Sequence, residues 1–155
     1  MAAASLHVID TTILQVALWA GGAPPACSGL FNGSMPKLYA KLVCPKVEEA
    51  HGEAWCWTDL WQRLQGGDAF VAGTGRIFAA YYGDVDIMRA MAWVGIFHSL
   101  FEIWLLPRGI KQVQAIDGQL GLNKVGTIAL WGFVLLHVGL VLLFSLGIAQ
   151  SHGSL

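Results

Sequence analysis

Charge is what this chain has least of. Of its 155 residues only 12% are Asp, Glu, Lys or Arg, against 55% hydrophobic, too few to cover a surface that faces water on all sides. Nine basic and ten acidic residues leave a formal net charge of -1, with no basic run, and nucleic acid is excluded as a partner. The cysteines, Cys27, Cys44 and Cys56, are odd in number and widely spaced, which excludes both a disulfide framework and a CxxC metal or redox motif. Met1 to Leu6 lacks a basic segment and no arginine precedes Arg63, so any targeting is expected to use internal signals. Nucleophile and metal motifs are missing as well: there is no Ser/His/Asp arrangement, no HExxH, and Gly73-Thr74-Gly75 has no lysine after it to make a phosphate loop. The expectation is a protein that is not an enzyme, with no catalytic residue, no metal and no cofactor.

Long apolar runs are present instead. Val125 to Ala149 is 25 residues without Asp, Glu, Lys or Arg, enough for a helix to cross a bilayer. A second run over 87–106 ends at Pro107, where a helix is expected to stop. The stretch 6–23 is apolar apart from Asp10 and is followed by Pro24 and Pro25, with Gly21 and Gly22 just before, the punctuation of a helix end. The stretch 69–83 is shorter and contains Arg76.

Charge placement decides whether that last stretch crosses. With four spans, Lys37, Lys41, Lys46, Arg63, Arg108, Lys111 and Lys124 share one side and Arg89 alone lies opposite, a positive-inside distribution. The predicted fold is therefore all-α: one integral membrane domain over 1–155 with four transmembrane helices, about 6–23, 69–83, 87–106 and 125–149. Both termini lie on the side away from the basic loops.

A different kind of segment lies between the first two spans. Pro45 suits a first helical position and Glu48 and Glu49 suit the positive end of the helix dipole, while Val47, Ala50, Ala54, Trp57, Trp61 and Leu64 recur at helical steps. This predicts an amphipathic interfacial helix over about 45–65, stopped by Gly66 and Gly67. Trp55, Trp57 and Trp61 would make it an attachment surface, to the headgroup zone or to a partner.

Polar groups inside spans are costly and mark pairing or function. His98 and Glu102 are four residues apart on one helix face, and Arg76 lies on the preceding helix across a short turn, so an Arg76–Glu102 ion pair with His98 alongside is the expected buried cluster. His98 and His137 also fall near the middle of antiparallel spans, the placement of a haem-ligand pair, although a core histidine is the commoner outcome. Small residues, Ala129, Gly132 and Gly139 on the last span and Ala72, Gly75 and Ala79 on the second, predict faces for close helix packing.

Arg76-Ile77-Phe78-Ala79-Ala80-Tyr81, Ala92-Trp93 and His98-Ser99-Leu100-Phe101-Glu102, with Lys37-Leu38-Tyr39 upstream, resemble the ergosterol-biosynthesis scaffold family. That resemblance implies a four-helix adaptor without catalysis, tethering sterol C4-demethylation enzymes in the endoplasmic reticulum. The residue pattern as a whole favours a non-catalytic accessory or scaffold subunit of a multi-protein membrane complex. Its partners would be other membrane subunits and lipids, in an energy-transducing assembly such as a mitochondrial respiratory-chain or ATP synthase complex of the inner membrane. A haem- or quinone-binding anchor of a redox complex is the third expectation.

Overall fold

The computed structural model describes residues 10–38, 55–115 and 124–153, with the backbone alone for some helical stretches, 55–61 among them. Among the described residues the long elements are four helices: α1 (Thr12–Ser34), α2 (Trp55–Tyr82), α3 (Val85–Ala115) and α4 (Lys124–Ser151). No strand occurs among them. They run alternately up and down, so residue 10, the α2–α3 turn and residue 153 lie at one end, here the upper end.

Three of the four expected boundaries move. The span expected over 6–23 continues through Pro24 and Pro25 to Ser34; its residues 6–9 lie outside the described residues. The interfacial helix of 45–65 and the span of 69–83 are one continuous helix from Trp55, with Gly66 and Gly67 inside it. Residues 45–54 lie outside the described residues, as do the side chains of Trp55, Trp57 and Trp61. Pro107 likewise sits inside α3. It removes the N–H that would bond the carbonyl of Ile103, yet the helix carries on, and one residue later the Arg108 guanidinium donates to the carbonyl of Trp104. The last span, Lys124–Ser151, is where the sequence places it.

Gly66 continues the helix because it is an approach point and not a terminator. A Cβ built on it would lie 2.4 Å from the Gly33 nitrogen and 2.8 Å from the Gly29 oxygen. At Gly73 the same atom would meet the Gly22 oxygen and the Ala26 nitrogen at 2.5 Å. Gly22, Ala26, Gly29 and Gly33 of α1 thus run antiparallel along Gly66 and Gly73 of α2, backbone against backbone, in the small-xxx-small packing of membrane helices. Of the faces expected to do this, Ala79 is buried in the core, whereas Gly75 meets only the end of Met91, and Gly132 and Gly139 have open space around them.

The α1–α2 pair joins the α3–α4 pair near the upper end. There Phe144, fully buried, fills the volume left by two glycines: a Cβ on Gly21 would come within 2.5 Å of its ring and one on Gly95 within 2.6 Å. Leu14, Ala17, Leu18, Ala80, Ala92 and Ile148 complete this core. Polar clasps close the rim. Asp10 accepts from the Thr12 N–H at 2.9 Å and from Gln150 Nε2 at 2.8 Å, while Gln150 Oε1 accepts from the Ile13 N–H at 2.9 Å. Arg89 donates to the Ser151 hydroxyl at 2.8 Å and to the Ser151 carbonyl, a cation at the negative end of α4.

Large apolar side chains face outward. Phe78, Tyr82, Trp93, Phe97, Phe101, Leu135 and Leu142 are all exposed, whereas the core uses alanine and glycine freely. Val85–Arg108 of α3 and Trp131–Ser151 of α4 are long and apolar enough to cross a membrane, and only 22% and 28% of their spanning stretches are buried. A core helix of a soluble domain would be mostly covered. These faces match lipid.

Candidate functional site

The polar residues inside the bundle gather where the two helix pairs part. Arg76 of α2 is buried, 3% exposed. Its Nη1 donates to the carbonyl of Gly21 at 2.8 Å, and the local sequence of α1 explains why that carbonyl is available. A helical carbonyl accepts from the N–H four residues on, or three in a tighter turn. For Gly21 those residues are Pro25 and Pro24, neither of which has an N–H. Arg76 supplies the donor that both prolines lack, which is how α1 passes through them.

The expected Arg76–Glu102 ion pair is therefore not the arrangement found. An ion pair does form at the upper end, Arg89 with Asp86 at 3.1 Å. Arg76 serves a backbone carbonyl, and its Nε is buried with no hydrogen-bond partner among the described residues. His98 and Glu102 stand one turn apart on α3, and Arg76 lies on the preceding helix α2.

The two histidines do meet. The rings of His98 on α3 and His137 on α4 have centroids 5.8 Å apart, inclined at 59°. His137 Nδ1 lies 3.3 Å from the hydroxyl oxygen of Ser99, itself 1% exposed. Ser99 was not singled out by its sequence, although its place one residue after His98 and three before Glu102 puts it on the adjoining, inward side of the same helix. No group of three or more His, Cys, Asp or Glu side chains placed to hold a metal ion occurs among the described residues.

Below this cluster the structure opens. From Leu100 to Arg108 no residue of α3 is buried, and Trp131 to Phe133 of α4 are exposed, while α1 continues downward against α2 through Gly29 and Gly33. Compared with known family models, curated proteins and solved structures, the chain matches none of them.

Proposed function

We propose that this chain is a non-catalytic, four-helix membrane subunit that holds partner membrane proteins together. The observation that carries the reading is where the side chains lie: glycines such as Gly29, Gly66 and Gly73 let α1 and α2 meet backbone to backbone, while Phe78, Trp93, Phe97, Phe101, Leu135 and Leu142 stand exposed. Such a bundle is stiff within and has its largest apolar side chains free for neighbours. Aromatic side chains stand toward both ends, Trp19 against Tyr81 at a ring distance of 5.3 Å above, and Trp104 under the Arg108 guanidinium at 4.3 Å below, a placement suited to the two interfaces of a bilayer. Lys37, Arg63, Arg108 and Lys111 are exposed at the lower end, in keeping with a cytosolic or matrix face. The setting we favour is an energy-transducing complex of the mitochondrial inner membrane.

A second reading is a tether for sterol-processing enzymes in the endoplasmic reticulum. It draws on the resemblance carried by Arg76 on α2 and by His98 and Glu102, one turn apart on the adjoining helix α3. Proteins co-purifying with a tagged copy in mild detergent separate the two. Respiratory-chain or ATP synthase subunits support the first reading, sterol C4-demethylation enzymes the second, and a chain that emerges alone from native membranes contradicts both. Cysteine labelling in sealed membranes tests the four spans independently: tags before Thr12 and after Ser151 must be reached from the same side.

A further inference from the structure

We infer that the aromatic cluster at the upper end, Trp19 with Phe78, Tyr81 and Tyr82, binds the trimethylammonium group of a choline phospholipid. The inference rests on the helices crossing a bilayer, and it is independent of the scaffold role.

The rings come from two helices and form one connected array. Those of Trp19 on α1 and Tyr81 on α2 have centroids 5.3 Å apart and planes inclined at 72°. Tyr82 continues the array, 5.8 Å from Tyr81 and 5.7 Å from Phe78, at inclinations of 35° and 32°. Helix direction brings the first pair together. Side chains lean toward the N-terminus of their own helix, so Trp19 reaches up from α1 and Tyr81 reaches down from α2. All of these rings are exposed, and the apolar span of α3 begins at Val85, just beyond Tyr82. The cluster therefore lies at the upper membrane boundary, the level of phospholipid head groups.

Chemistry selects among head groups. Two nearly perpendicular rings enclose a corner, and a cation set in it lies within about 6 Å of both centroids, the range over which a ring face attracts positive charge. A trimethylammonium group has no N–H to donate and loses little by exchanging water for ring faces. The primary ammonium of an ethanolamine head needs acceptors that carbon faces do not supply. Charge points the same way. Among the described residues of this rim, Asp10, Asp84 and Asp86 stand against Arg89, which already holds Asp86 at 3.1 Å. Asp84, next along the chain after Gly83, is fixed there by the N–H groups of Asp86 and Ile87 at 3.0 and 2.9 Å. An acidic rim favours the cationic end of a zwitterion over an anionic head group. The pairs Trp93–Phe97 and Phe101–Trp104 on α3 lack the corner, being inclined at only 33° and 34°, and the Trp104 ring is already covered by the Arg108 guanidinium at 4.3 Å.

The test uses the full chain in nanodiscs holding equal amounts of dioleoyl phosphatidylcholine, phosphatidylethanolamine, phosphatidylglycerol and the phosphatidyl ester of 3,3-dimethylbutanol, which has the shape of choline without its charge. Native mass spectrometry of the released chain reads the lipid retained. Phosphatidylcholine is expected about fivefold above each of the others. Trp19→Leu and Tyr81→Leu should each bring retention close to parity. Tyr81→Phe should keep the preference, because the ring face remains, and Trp104→Leu at the lower end should leave it unchanged. Dimethylbutyl lipid retained as well as phosphatidylcholine would assign the preference to shape and overturn the inference. Equal retention of all four lipids would overturn it too, as would a preference that survives Trp19→Leu and Tyr81→Leu together. If the parent chain shows no preference while cysteine labelling shows four spans, the lipid site alone is lost.

Discussion

Arg76 and Pro25 sit on different helices, and the first repairs what the second breaks. The guanidinium donates at 2.8 Å to the Gly21 carbonyl, which Pro24 and Pro25 leave without a helical donor. Arg76→Met should therefore cost about 1–3 kcal/mol, the penalty of a buried carbonyl left unpaired. Pro25→Ala returns an N–H four residues from Gly21, so the same arginine substitution should cost less in that background. Denaturant unfolding of the four chains in mixed micelles measures the coupling, and strictly additive effects would refute it.

Glycine substitutions should divide sharply. Gly66→Ala and Gly73→Ala drive a methyl group into opposing backbone at 2.4 to 2.5 Å, where no rotamer change gives room, and should each destabilise by about 1–3 kcal/mol or separate α1 from α2. Gly132→Ala and Gly139→Ala meet nothing and should be neutral or gain up to about 1 kcal/mol from helix propensity. Thermal melts of the four single variants are a direct comparison.

Legibility in the sequence followed the same division. Val125 to Ala149 showed itself as a helix because nothing in it interrupts the apolar run. Pro24-Pro25, Gly66-Gly67 and Pro107 were misleading because local punctuation rules describe a helix with no neighbour to supply a donor or to demand a close approach. The spacing of Gly21 from Pro24 and Pro25 does state that one carbonyl will need an outside partner, and a buried Arg76 on the next helix is the natural source. Nothing local distinguishes Gly66 and Gly73, which meet α1, from Gly132 and Gly139, which do not. The meeting of His98 with His137 could be foreseen from their depths, but the contact with Ser99 depends on how α3 and α4 cross.

Phe144 of α4 is lodged at the junction of the pairs against Gly21 of α1 and Gly95 of α3. Phe144→Ala should leave a cavity there and cost about 3–5 kcal/mol. Gly95→Ala should be destabilising alone and better tolerated together with Phe144→Leu, since the smaller side chain gives back the space that the methyl group takes. Unfolding curves of the singles and the double variant decide this.

Acid should loosen the upper rim. The Thr12 backbone N–H, bonded to the Asp10 carboxylate, holds its pKa below the usual carboxylate value. A carboxylate whose folded pKa is depressed contributes its stability above the unfolded pKa and loses it as pH falls through the folded one. The expected outcome is a small decrease in melting temperature on acidification below about pH 4, reduced in Asp10→Asn. An unchanged acid response in that variant would assign the effect elsewhere.

The bond between Arg76 and Gly21 bears on how the protein is made. On the proposed four-span reading, α1 alone in hydrocarbon would carry a naked carbonyl at its proline pair, and α2 alone a guanidinium with nothing to bind. Each defect is mended by the other helix, and the glycine seam lets the two backbones come close enough for it to happen. The first half of the chain is thus fitted for insertion as a hairpin, its two arms entering together after both have been synthesised, while α3 and α4 are apolar enough to follow one at a time.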